Sequence, residues 1–452
     1  MELRKLDVLR IINKNNLLDI NYYFSSDKLS VITRLPIPSW YRNNIYYSII
    51  LFFMILFKKL FSHQHNRVLK EATPILLLAN TQNQRDALMS LVSIRNDCKI
   101  IGEDKFGDYI FPNYMSYFYS IPYLFDVFRF YKESLNYTRL SFQYVFHEYL
   151  LVYGRFRMFV NFFSSVNAQI VVVSNDHVAN TRIIAFVCKY IGAKSIYIQH
   201  ASITQQFPSL IFDYALLEGR DALDKYLQIG NIDSEVFLIG TLKESEPENI
   251  CVKNKIDKIG VCFNLVDDLS LVEDLIVEAL KLFNSKNIIL RPHPKDDRDY
   301  FTNRMKSKYD IGISNSREQI SIEFLKQVEC IIASESNIHL EATLQNIVPI
   351  YYKFTNNDSF DDWYGFIKNK LLLYSCNSLR NLSEVLHSLK KEKPNVRHLA
   401  KYYNSTIATE FEGKSNILYD EVISYIKTGN CDFIEKTFNL ENINGVKVYS
   451  LR

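Results

Sequence analysis

Glycine is scarce in this chain, at 13 of 452 residues, against about 7% in an average protein. So few glycines leave little for a glycine-rich phosphate cradle. Neither GxGxxG nor GxxxxGK followed by Ser or Thr occurs. Cysteine offers no framework either. The seven cysteines (98, 188, 251, 262, 330, 376 and 431) are odd in number, widely spaced and without a CxxC. That excludes a cysteine zinc site and reads as reduced, mostly buried thiols of a cytoplasmic protein. An excess of one charge is also missing. Lys and Arg number 53 and Asp and Glu 50, a net charge of +3. This excludes charge-driven nucleic-acid binding and an acidic disordered chain. The opening stretch, MELRKLDVLRIINKN, is charged throughout and reads as no secretory signal. The apolar run that stands out covers 13 residues, 45–57, where a membrane span needs about 20. Arg42 precedes it and Lys58 and Lys59 follow it. It reads as a buried helix or as one lying at a membrane surface, and so gives the chain an expected peripheral contact with the inner face of the cytoplasmic membrane.

What is present points to a globular α/β protein. The composition is 48% hydrophobic and 23% charged, and at ~100–200 residues per domain the length allows two or three. Short apolar runs at 74–79 and 98–102 read as strands. Residues 106–163 hold 22 aromatics among 58 residues. They show no sustained alternation and read as mainly helical, either as core or as a surface for sugar rings. The clearest pattern follows: a buried strand at 169–174, a helix at 178–190 closed by Gly192, and a strand at 194–199. Further strands are expected at 212–217 and 235–239. A polar stretch at 243–255 containing Pro247 reads as a linker. Beyond it come strands at 258–264, 287–290, 330–333 and 348–352, and helices at 269–284, 317–327 and 338–344. Strand–helix–strand units with short connections predict parallel sheets. The expected organisation is two Rossmann-like domains, 1–245 with an aromatic helical insertion near 106–165, and 246–452. Ligands belong at the carboxyl ends of the strands.

Two constellations fall at such ends. Arg291-Pro292-His293-Pro294-Lys295 closes a strand. Its prolines restrict the backbone around His293, and a histidine between two cations suits a phosphate oxygen. Ser334-Glu335-Ser336-Asn337 lies between a strand and a helix, with Glu341 in that helix. Hydroxyls and free N–H groups there suit an anion, and the glutamate suits ribose hydroxyls. In the first domain Asp176, His200 and His177, in that order, are candidates for a base that takes an acceptor's proton. Asn175 or Asp176 can equally cap the helix that follows. Glu103 and Asp104 form an outside pair. Asn80, Gln84 and Arg85 follow the first strand and are candidate acceptor contacts. Asp297-Arg298-Asp299 has the letters of a metal-binding Asp-x-Asp but is short enough to arise by chance, and Asp267-Asp268 reads as a solvated helix start.

These residues carry a resemblance. The second half resembles the donor domain of GT-B glycosyltransferases that build bacterial capsule and lipopolysaccharide. Among these, the sialyl-, polysialyl- and Kdo-transferases hold the phosphate of a CMP-sugar with an HP motif and a later serine pair. Here these are His293-Pro294 and Ser334 with Ser336, the serines separated by Glu335. Gln199-His200, Phe207-Pro208 and Phe212-Asp213-Tyr214 resemble a stretch of surface-polysaccharide transferases, with Ala201 in place of a glycine. The resemblance covers about 169–352. It implies a metal-independent, inverting transferase without cofactor, moving a CMP-activated Kdo or nonulosonic acid onto a glycan or glycolipid acceptor. Asn264, Arg291, His293, Pro294, Lys295, Ser334, Ser336, Asn337 and Glu341 would bind the nucleotide-sugar. A CDP-glycerol or CDP-ribitol polyol-phosphate transferase, with His200 as base, and a UDP-sugar enzyme share the layout. A nucleotide-sugar-binding scaffold without turnover is the non-enzymatic alternative.

Overall fold

A computed structural model describes residues 4–14, 45–60, 67–103, 106–133, 136–204, 207–242, 250–355 and 362–452. Asp104 and residues 243–249 of the expected linker lie outside them. Two helices lead in, α1 (Lys5–Lys14) and α2 (Ile45–Leu60). The first lobe then runs β1 (Ile75–Leu78), α3 (Gln82–Ile94), β2 (Cys98–Gly102) and β3 (Tyr109–Ile110). The aromatic segment forms α4 (Tyr114–Ser120), α5 (Leu124–Glu133) and α6 (Asn136–Ser165). The lobe continues with β4 (Ile170–Val173), α7 (Ala179–Ile191), β5 (Lys194–Ile198), β6 (Tyr214–Leu217), α8 (Arg220–Ile229) and β7 (Glu235–Leu238).

The second lobe contains β8 (Ile259–Phe263), α9 (Leu269–Ala279), β9 (Ile288–Pro292), α10 (Asp299–Tyr309) and β10 (Gly312–Ile313). It goes on through α11 (Ser321–Leu325), β11 (Cys330–Ala333), α12 (Ile338–Leu344), β12 (Val348–Tyr352), β13 (Tyr374–Cys376) and α13 (Leu379–Lys391). Its parallel sheet has the order β10-β9-β8-β11-β12-β13. Apolar strands such as Ile170–Val173 and Ile259–Phe263 are buried at every position. A parallel sheet covered on both faces requires that pattern.

The end of the chain corrects one expected boundary. Residues 246–452 do not stay together as a second domain. The chain crosses back through α14 (Ser415–Thr428) and α15 (Asp432–Thr437) to β14 (Phe438–Ile443) and β15 (Val446–Leu451). β15 pairs parallel to β7, Val448 beside Val236. The first sheet therefore reads β14-β15-β7-β6-β5-β4-β1-β2-β3. Asn444 (φ 53°) and Gly445 (φ 86°) make the turn of the closing hairpin, the two-residue pair that matches strand twist. Leu418, Tyr419, Val422 and Ile423 of α14 fill one face of the first sheet, with Ile75, Leu77 and Ile196. Helices α6 and α7 cover the other. The helix expected over 317–327 shortens to Ser321–Leu325.

The aromatic segment is core on its inner side. Tyr123 and Tyr153 stack with centroids 4.7 Å apart, and Phe146, Phe156 and Phe159 are fully buried. Gly154 of α6 lets α4 approach. A Cβ there would lie 1.8 Å from the Ser116 carbonyl oxygen and 2.2 Å from Ser120 Oγ. Gly154→Ala gains about 1 kcal/mol of helix propensity. Overlap with a backbone oxygen costs more, typically 1–3 kcal/mol and upward in a packed interior. The expected result is a net loss of about 2 kcal/mol, read by urea unfolding. Unchanged stability would mean the two helices are not this close.

Candidate active site

Both sheets turn their carboxyl ends toward one another. Ser202, after β5, donates to Asn337 Oδ1, after β11. Lys225 of α8 donates to the Tyr364 carbonyl at 2.8 Å, and the Tyr402 hydroxyl donates to Asp224 at 2.8 Å. A cavity of about 50 Å³ lies between the lobes. Its first-lobe wall includes His200, Ala201, Glu218 and Thr241, and its second-lobe wall includes Ser321, Asn337, Leu340 and Glu341. The fold thus brings together His200, Asn337 and Glu341, which are far apart in the chain.

In the second sheet the order of connection reverses between the parallel strands β8 and β11, the crevice where open α/β sheets bind ligands. Asn264 ends β8 there. Its Nδ2 donates to Ser334 Oγ and to the Glu335 carbonyl, both at 3.3 Å. Ser334 does not face a ligand. It is buried, and its hydroxyl donates to Asp267 at 2.6 Å. Asp267 is correspondingly no solvated residue: burial pushes its carboxyl up, against the pull of Ser334. Asp268 does cap α9, accepting from Ser270 N at 2.9 Å. Ser336 Oγ accepts from Ile338 N at 3.4 Å, which leaves its hydroxyl hydrogen to donate. Arg291 is also corrected. Its guanidinium is buried, donating to Ser314 Oγ at 2.6 Å and the Gln319 carbonyl at 2.9 Å, over the Phe324 ring. It braces the sheet and does not reach its edge.

His293, Pro294 and Lys295 are exposed at the carboxyl end of β9. His293 N donates to the Phe263 carbonyl at 2.9 Å, tying the loop to β8. Its Nδ1 accepts from Lys295 N at 3.1 Å. A neutral imidazole has one donor and one acceptor, so Nε2 carries the hydrogen and is the donor of this exposed residue. Desolvation of the ring lowers its pKa, and the Lys295 charge adds to this. The ring is therefore mostly neutral at pH 7. Arg298 locks the loop, pairing with Asp296 at 2.6 Å and donating to the Asn264 carbonyl at 2.7 Å. Asp299 pairs with Arg317 at 3.0 Å. These pairs occupy the side chains of the Asp-x-Asp letters other than Asp297.

In the first sheet the reversal falls between β1 and β4. Asn175 Oδ1 accepts from His177 N and Val178 N at 3.1 and 3.0 Å, which orders the loop; the helix begins at Ala179 with Val178 as its N-cap, so neither Asn175 nor Asp176 caps it. Asp176 is 1% exposed. Its carboxylate accepts from the Tyr226 hydroxyl at 2.6 Å and pairs with His177 Nδ1 at 2.9 Å. Buried and doubly engaged, Asp176 orients His177 and cannot itself meet an acceptor. With its Nδ1 hydrogen on Asp176, His177 presents a lone pair at Nε2. Asn175 Nδ2 lies 3.2 Å from it, which occupies that lone pair. His200, in the interlobe cavity, becomes the leading candidate base.

The acceptor candidates are used within the lobe. Asn80 Oδ1 accepts from Glu103 N at 3.1 Å, and Gln84 Oε1 accepts from Asn80 N at 2.8 Å. Arg85 donates to the Phe106 carbonyl at 2.6 Å and pairs with Asp108 at 2.8 Å. It lines an open groove of about 500 Å³ with Arg67, Gln82 and Gly107, not the interlobe cavity. Glu103 accepts from Asn113 at 3.2 Å and from Asn180.

One residue of interest was not legible. Glu335, between the two serines, accepts from Trp363 N at 3.1 Å, and burial pushes its carboxyl up to about 7. Its sequence position suggested only an interruption of a serine pair; the shift comes from burial, and the Trp363 N–H, 28 positions away, opposes it.

Comparison with solved structures places the architecture. A protein from Listeria monocytogenes assigned as a UDP-N-acetylglucosamine 2-epimerase is similar at TM-score 0.50 and 11% identity, over 79% of this chain and 98% of that one. The fold is GT-B. The UDP-GlcNAc 2-epimerase of Neisseria meningitidis bound to UDP-GlcNAc is similar at TM-score 0.49 and 10% identity, over 78% and 100% of the two chains. The wall teichoic acid polymerase TagF, soaked with CDPG, is similar at TM-score 0.47 and 11% identity, over 94% and 99%. No family model and no curated protein matches the sequence. At such identities the likeness concerns the fold alone.

Proposed function

We propose that the chain is a metal-independent, inverting transferase. It takes a nucleotide-activated sugar in the second lobe and an acceptor hydroxyl, on a glycan or glycolipid, in the first. The observation that carries this is exposed His293 at the carboxyl end of β9, its Nδ1 held by Lys295 N so that Nε2 is the donor, which can meet a phosphate oxygen. Lys295 adds charge, and Asn264 and Ser336 border the same sheet edge. The donor we propose is a CMP-activated acidic sugar, Kdo or a nonulosonic acid, with Glu341 toward the ribose. His200 takes the acceptor's proton as the glycosidic bond forms and the nucleotide phosphate leaves.

A second reading has its own support. The presence of His200 in the interlobe cavity, opposite Glu341, suits a histidine base in a CDP-polyol phosphate transferase equally well. Product analysis separates the two, a glycosidic bond against a phosphodiester. A thermal-shift panel with CMP, CDP, UDP and GDP identifies the base. A nucleotide at ~100 times its Kd adds about 2.7 kcal/mol of stability. Loss of one hydrogen bond to a charged phosphate costs about 1.5–3 kcal/mol. His293→Ala should therefore weaken nucleotide binding about tenfold or more with an unchanged melt. Undiminished binding in that variant would remove His293 from the site.

A further inference from the structure

The inner side of α2 is anchored in the first lobe. Ser48, Phe52 and Leu56 are buried. Ser48 Oγ lies 3.0 Å from His147 Nδ1 of α6, and Phe52 packs on Tyr117 of α4 with centroids 5.2 Å apart. The outer side is also apolar. Tyr46 is 71% exposed, Ile50 54%, and Met54 and Phe57 58% each. Their spacing of four, four and three residues is that of one helical face. Phe118 of α4, which packs against α2, Ile121 between α4 and α5, and Phe125 of α5 are also apolar and exposed, Phe125 at 83%. Solvated helices are polar on the outside, and an exposed apolar helix face of this kind marks an interaction site.

Charge narrows the partner. Lys58 and Lys59 directly follow the apolar face, and exposed Arg10 and Lys14 lie on α1, which packs on the same layer. A second copy would set these cations against like charges. An anionic lipid surface would neutralise them and bury the aromatics, and 16 residues are too few for α2 to cross it. We propose that α2, with the exposed edge of α4 and α5, docks flat on an anionic lipid bilayer, its apolar face at the acyl boundary and Lys58 among the headgroups.

This stands independently of the transferase reading and is tested without turnover. The full chain is sedimented with phosphatidylcholine vesicles with and without phosphatidylglycerol. The expected result is capture by the anionic vesicles, weakened by salt, and little capture by the neutral ones. The Ile50→Gln/Met54→Gln/Phe57→Gln variant should partition about tenfold more weakly or worse. Lys58→Glu/Lys59→Glu should lose the salt-sensitive part. Both should keep the wild-type melt and nucleotide binding, because Ile50, Met54, Phe57 and Lys58 are exposed and Lys59 follows them in the sequence. The proposal is overturned if the wild type ignores anionic vesicles or if the triple variant binds them equally. It is also overturned if the wild type is a dimer that the triple variant splits, with no vesicle capture.

Discussion

Replacing His200 with alanine should lower turnover by about 10²–10⁴-fold, the usual contribution of a positioned general base, while nucleotide binding and the melting temperature stay near wild type. The expectation comes from where the cavity lies. Displacement of a nucleotide needs the acceptor hydroxyl within reach of a base on the first lobe and the leaving phosphate on the second. His200 is the histidine of the first-lobe wall that faces Asn337 and Glu341. Asp176 is walled off by Tyr226 and His177, and Asn175 stands at the His177 lone pair. The measurement is kcat with the donor base found by thermal shift, beside the nucleotide Kd of the same variant. A fall in kcat with unchanged Kd is the signature of a group acting on the reacting proton. Retained kcat in His200→Ala, with a collapse in His177→Ala, would move the base to the β4 loop.

Acid should destabilise the second lobe through one side chain. His339 of α12 is fully buried; its Nε2 donates to the Ser334 carbonyl at 2.8 Å. Burial lowers its pKa to about 4 from an ordinary 6.5. Between these values the unfolded chain holds a proton that the folded one does not, so stability falls as pH drops through that window. At 1.36 kcal/mol per pKa unit the loss reaches about 2–3 kcal/mol near pH 4.5. Glu335 has the opposite sign. Its carboxyl, raised to about 7, binds a proton more readily folded than unfolded, and so loses stability as pH rises from 4.5 to 7. The two slopes oppose one another, so the total pH profile hides both. His339→Gln can keep a donor for Ser334 and cannot titrate. Urea unfolding at pH 7 and 4.5 should therefore show the wild type losing about 2–3 kcal/mol more than the variant. Parallel losses would mean that His339 takes up its proton at the same pH folded and unfolded.

The carboxyl-end loops show why some candidates were legible and others misplaced. His293 was readable because prolines and a strand end fix its position locally, whatever packs elsewhere. Arg291, two residues away, looked equivalent. Its role was decided by Ser314, Gln319 and Phe324, which approach from later segments. Ser334 likewise resembled a phosphate ligand until Asp267, 67 residues earlier, accepted its hydroxyl. Asp176 was a plausible base by its place after a strand, and it is the Tyr226 hydroxyl, 50 residues on, that closes it off. The return of the C-terminus had a local signal in Asn444-Gly445 between two runs of strand-forming residues. What it pairs with had none.

Periodicity and composition alone determined the α/β class, the parallel strand–helix–strand units, the two Rossmann-like lobes and the loops at the strand ends. These follow from buried apolar runs and helix termini, which are properties of neighbouring residues. Tertiary structure alone decided which loop side chains are spent inside the protein, which wall of the cavity holds a histidine, and which sheet receives the last strand. Each of those depends on a hydrogen-bond or packing partner distant in the chain, and no local pattern encodes that partner.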